Sequence, residues 1–124
     1  MPRTAVLAKF DALHTSCRKG VRRTTKDKER DLTSLTSKAL WCCYPNAVPI
    51  YDAFAQNALY VLSRLAGITP EASGHRYTRF SDVWFTIYSH VKPVIDQADL
   101  RGYSYKVRVF DRMLWILRTP NYSR

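Results

Sequence analysis

Apolar residues recur at helical spacing in five stretches of the chain. Val6, Phe10 and Leu13 predict a first helix over residues 3–17. Leu32, Leu35, Ala39, Leu40 and Cys43 mark a second, which starts near Asp31 or Thr33, both capping residue types, and ends at Tyr44-Pro45-Asn46. A third opens at Asp52, carries Phe54, Ala58, Val61, Leu62 and Leu65 on one face, and closes at Gly67. The fourth starts near Ser81, with Phe80, Val83, Trp84, Ile87 and Val91 as its stripe. Pro93 should kink or end it, although Val94, Ile95 and Ala98 continue the pattern. The fifth runs from about Ser104 to Arg118 on a seam of Val107, Phe110, Leu114 and Leu117, widened by Val109 and Met113.

The intervals between these stretches are polar or proline-bounded. Ala47 to Tyr51 reads as a short extended link restricted by Pro45 and Pro49. Only Tyr44 to Tyr51 looks strand-like, and it is too short to found a sheet. With no internal repeat and no composition break, the expectation is one all-α domain of about five helices spanning residues 1–124.

Composition adds a partner to this picture. The chain has 124 residues, 46% hydrophobic and 13% aromatic, enough for one core and for stacking surfaces besides. Its formal charge of +10 is a self-repulsion that a polyanion would offset. DNA or RNA is the usual polyanion and an anionic membrane the second. No apolar run approaches the ~20 residues of a membrane span, and the segment after Met1-Pro2-Arg3-Thr4 is broken by Lys9 and Asp11, unlike a secretory signal. Cys17, Cys42 and Cys43 are an odd set with no C-x-x-C pair, and His14, His75 and His90 are scattered. That argues against a disulfide framework and a structural zinc site, and it fits a reducing cytoplasm. The two adjacent cysteines are read as buried helix residues, and neither metal nor other cofactor is expected.

Four constellations carry the chemistry. Lys38 lies away from the Leu32/Leu35/Ala39 stripe, on a side shared with Ser34, Ser37 and Trp41, and Asp52 opens the next helix. The tight link between them lets both face one cleft, or leaves an exposed lysine and an ordinary helix cap. Residues Arg18 to Arg30 hold seven cations against two acids, a solvated loop or a phosphate-tracking one; Arg18, Lys19, Arg22, Arg23 and Lys26 are its candidate contacts. Arg76 and Arg79 lie in a loop before the fourth helix that is either a plain basic loop or a further set of phosphate contacts. On the last helix Arg108, Asp111, Arg112, Trp115 and Arg118 fall off the core seam together: either cations flanking an aromatic that suits base stacking, or solvated arginines around a Trp115 that packs on a neighbouring helix.

The run Ser37-Lys38-Ala39-Leu40-Trp41 through Pro49-Ile50-Tyr51-Asp52 resembles the heart of the helix-hairpin-helix DNA glycosylase superfamily. It also resembles a group of small helical proteins with an S-K-x-L…P-I-[YW]-D core and a closing Asp-x-x-Leu-Trp, here Asp111-Arg112-Met113-Leu114-Trp115. The resemblance implies base excision from DNA. Asp52 would stabilise the cationic sugar formed as the N-glycosidic bond breaks, and Lys38 would be a nucleophile able to form a Schiff base. The target base must leave the stack. Trp41, Tyr44 and Tyr51, which lie in the same segment, and Trp115 would hold it. The alternative is a non-catalytic helical nucleic-acid-binding module, a regulator or an accessory to defence against foreign DNA.

Overall fold

A computed structural model describes residues 1–21, 32–69 and 74–118. The chain is all-helical: α1 (Arg3–Val21), α2 (Thr33–Cys43), α3 (Ala53–Leu65), α4 (Arg76–Gln97) and α5 (Lys106–Arg118), with no strand among the described residues. α1 packs on α2 and α4, while α3 packs on α4 and most extensively on α5. No helix among the described residues is long and apolar enough to cross a membrane.

The core is built on aromatic rings. Trp84 meets Phe85, Tyr88 and Phe110 with ring centroids 4.8–5.1 Å apart. Phe10 stacks on Tyr77 at 4.0 Å, nearly parallel, and Tyr51 sets its edge against Phe80 at 5.1 Å. Such rings bury large areas and favour stacked or edge-on geometry. Each helix contributes to one cluster of buried side chains, from Val6 on α1 to Leu114 on α5.

Helix ends depart from the sequence reading in instructive ways. α1 continues to Val21, so Arg18 and Lys19 sit in its last turn rather than in a loop, where cations suit the negative end of the helix dipole. α4 starts at Arg76, five residues before Ser81, because His75 caps it: Nδ1 of His75 accepts the Tyr77 N–H at 3.1 Å. The helix then runs through Pro93, which is exposed, so water can satisfy the carbonyl that lacks its N–H partner, and buried Ile95 keeps the last turn on the core. α3 ends at Gly67, whose φ of +73° places it in the left-handed region that favours glycine. Ile68 N–H bonds Ser63 C=O and Gly67 N–H bonds Arg64 C=O, a Schellman closure.

The faces of α2 and α3 are rotated from those the apolar pattern predicts. α2 buries Thr33, Thr36, Ser37 and Leu40, and exposes Leu35, Ala39, Cys42 and Cys43. Its N-cap is Leu32, without a side-chain cap; Thr33 is inside the helix, and Asp31 lies outside the described residues. Cys42 and Cys43 are thus exposed free thiols, not buried ones, and Cys17 is half-buried. α3 buries Ala55, Ala58, Leu59 and Ser63, leaving Phe54, Val61 and Leu65 exposed. On α5 the buried seam is Val107, Phe110, Asp111 and Leu114, and Leu117 is exposed. On α2 the rotation brings Ser37 to the link between α2 and α3.

Candidate active site and nucleic-acid interface

The link Pro49–Asp52 is held by side chains from three helices. Its backbone leaves α2 extended, so its polar groups have no helical partners and burial would orphan them. Tyr77 of α4 donates its hydroxyl to Pro49 C=O at 2.8 Å. Ser37 of α2 accepts the Tyr51 N–H at 2.9 Å and donates to Ser34 C=O at 3.0 Å. Trp115 of α5, one turn beyond Asp111, donates its indole N–H to Asp52 at the end of the link. This demand for polar partners explains why α2 turns the Ser37 hydroxyl inward.

Asp52 is the N-cap of α3, as the sequence predicts. Its backbone is extended, and Oδ1 accepts the Ala55 N–H at 2.7 Å. Oδ2 accepts the indole N–H of Trp115 at 3.0 Å, and Trp115 meets Phe54 edge-on at 5.6 Å. Asp52 is half-buried. Lys38 is exposed and forms no ion pair with it among the described residues. Each follows one partner of the Ser37–Tyr51 hydrogen bond.

Asp111 corrects the reading of α5. It does not share the polar face of Arg112 but is 2% exposed. Oδ1 accepts the Trp84 indole N–H at 3.1 Å, and Oδ2 has no hydrogen-bond partner among the described residues. Burial pushes its carboxyl up to about 8, against the opposing pull of the Trp84 hydrogen bond, Arg108 and the Ile50 N–H; the Asp52 carboxylate adds to the rise. At neutral pH the carboxyl is therefore largely protonated. The same burial, with Asp111 second, raises the Tyr77 hydroxyl.

The residues expected to hold a base divide into three situations. Tyr51 is buried, its hydroxyl on Gln56 Oε1 at 2.5 Å and its ring on Phe80, so it is a core residue rather than a stacking surface. Trp41 and Tyr44 are half-buried and each faces a cation: Arg108 lies 5.7 Å from the Trp41 ring and Lys9 5.2 Å from the Tyr44 ring. Trp115 keeps an exposed ring beside Phe54. Sequence reasoning placed Phe54 in the core.

The cations expected to meet phosphate are dispersed. Arg112 is exposed on α5 and Arg76 on the first turn of α4. Arg79 and Arg108 are half-buried, and Arg79 Nε is buried with no partner among the described residues. Arg18 and Lys19 close α1. Arg22, Arg23 and Lys26 lie outside the described residues.

No family model, curated protein or solved structure matches this chain.

Proposed function

We propose that this protein binds DNA and removes a damaged or modified base by glycosylase-like chemistry at Asp52. The single observation that carries the reading is the Ser37–Tyr51 hydrogen bond of 2.9 Å, which joins α2 to the link so that Lys38 and Asp52 leave one junction. An amine and a capped carboxylate at one junction are the pair that N-glycosidic cleavage uses. The base departs with the electron pair of the C1′–N bond, the carboxylate offsets the cationic sugar, and water or the neutral Lys38 amine bonds to C1′ and releases the proton that balances the one the base takes up. The charge of +10 supplies the attraction to phosphate. The test is incubation with DNAs carrying different base modifications, reading released base and abasic sites for the parent and for Asp52→Asn at matched DNA affinity. Base release that depends on Asp52 supports the reading; equal release from both proteins removes it.

A second reading rests on Asp52 itself. Both of its oxygens already accept hydrogen bonds, from Ala55 and Trp115, as suits a carboxylate that only holds the fold together. The chain is then a non-catalytic nucleic-acid-binding module, and DNA binding without base release from any substrate would favour it.

A further inference from the structure

α5 carries two apolar stripes, and the fold uses one of them. Val107, Phe110, Asp111 and Leu114 are buried against the other helices. Val109, Met113, Ile116 and Leu117 stand at i, i+4, i+7 and i+8 on the opposite side, the spacing of a single helix face. Val109 is half-buried, while Met113 is 36%, Ile116 63% and Leu117 46% exposed. Arg112, also exposed, lies one turn from Ile116. The charged residues of α5 are the cations Lys106, Arg108, Arg112 and Arg118 and one acid, Asp111, which is buried. The helix thus offers an apolar ridge on a cationic background.

That combination selects among occupants. A second copy would set like charges against each other, and three partly exposed side chains fall far short of the about 800 Å² per partner that a stable interface buries. A DNA duplex answers the cations but offers little to the stripe. An amphipathic helix of another protein answers both, but such helices dock in grooves, and this stripe is the outer side of one helix whose inner side packs on α3 and α4. An anionic lipid surface also answers both: its phosphates meet the cations, and its acyl boundary accepts a convex ridge. The lack of a spanning helix among the described residues does not bear on this, because an interfacial helix lies in the membrane plane. We propose that α5 is a peripheral membrane-binding surface: Met113, Ile116 and Leu117 enter the boundary between headgroups and acyl chains of an anionic bilayer, and Arg112 pairs with lipid phosphate. The inference does not depend on base excision.

The experiment sediments the full chain with vesicles of phosphatidylcholine alone and of phosphatidylcholine with about one third phosphatidylglycerol. The parent should bind the anionic vesicles and not the neutral ones. Ile116→Ser should weaken vesicle binding by at least about tenfold, because the exposed side chain no longer has apolar surface to bury. Leu117→Ser should act in the same direction, and circular dichroism should show both variants as helical as the parent. Arg112→Ala should weaken vesicle binding by about fivefold. Arg112 is also a candidate DNA contact, so the stripe residues separate the two ligands: Ile116→Ser should leave duplex affinity within about twofold, since phosphate contacts carry that binding. Absence of binding to anionic vesicles at low salt overturns the inference. So does binding by Ile116→Ser and Leu117→Ser equal to the parent's, because net charge alone then holds the protein to the vesicle. A loss of duplex affinity in Ile116→Ser as large as its loss of vesicle affinity overturns it in favour of a nucleic-acid interface. Parent dimers in analytical ultracentrifugation that Ile116→Ser dissolves overturn it in favour of a second copy. Ile116-dependent binding of an acidic amphipathic peptide without vesicle binding overturns it in favour of a protein partner.

Discussion

Asp111 and Trp84 face each other in the core, the carboxyl accepting the indole N–H at 3.1 Å across two helices. Both are almost wholly buried, and the carboxyl has only this one full hydrogen bond among the described residues. The pair lies beneath the Ile50–Asp52 link, so the protonation of Asp111 bears on the segment that positions Asp52.

Stability should therefore fall as pH rises. Burial pushes the folded carboxyl up to about 8, well above the ordinary carboxylate range, so the native state holds a proton that the unfolded chain releases. The stabilising contribution is fully present below about pH 4 and is lost progressively up to about pH 8. Asp111→Asn keeps the shape and an acceptor for Trp84 but cannot ionise. Urea unfolding across this range should show a flatter pH dependence for the variant, and greater stability than the parent near pH 8. A parent whose stability is level from pH 5 to 8 rules out this role for Asp111.

Ser37→Ala should cost about 1–3 kcal/mol, because it leaves the buried Tyr51 N–H without an acceptor. Chemical denaturation measures this. Lys38→Ala, one residue away and exposed, should change stability by less than ~0.5 kcal/mol. In base-excision assays the lysine variant should lose any strand nicking or borohydride-trapped adduct.

Asp52→Asn separates cap from catalyst. Asn caps a helix as well as Asp does, but its amide NH₂ would oppose the Trp115 indole N–H at the position Oδ2 now holds. A destabilisation of about 1 kcal/mol is expected from that lost bond. Base release should fall by about a hundredfold or more, far beyond the effect of so small a stability change.

DNA affinity should fall steeply with salt, since each neutralised phosphate releases counterion. Replacing Arg22, Arg23 and Lys26 by Ala should flatten the slope of log K against log salt by up to about three units, and Arg112→Ala by up to about one. Fluorescence anisotropy at several salt concentrations measures both.

Cys42 and Cys43 should react with a thiol reagent in the folded protein, and Cys17 more slowly, because the first two are exposed and the third half-buried. Circular dichroism should show the helices retained after modification of the exposed pair. Protection of Cys42 and Cys43 until the chain unfolds would contradict the observed phase of α2.

Helical periodicity alone determined that this chain makes five helices, and local chemistry determined several of their ends: Asp52 can cap, Gly67 can turn left-handed, and Pro45 and Pro49 keep the link extended. These are interactions within a few residues, so they can be read in one dimension. The phases of α2 and α3 were decided only by tertiary structure. Hydrophobicity favoured burying Leu35 and Phe54, but a buried, non-helical link needs hydrogen-bond partners, and Ser37, Tyr77 and Trp115 supply them from 14 to 63 residues away. His75 belongs to the same class of decision, because an imidazole cap gives a weaker sequence signal than Ser or Asp. The candidate site divides in the same way. Asp52 was legible from its place at a helix start. Its bond to Trp115 was not, because nothing local to either residue encodes the packing of α5 against α3 that brings them within 3.0 Å.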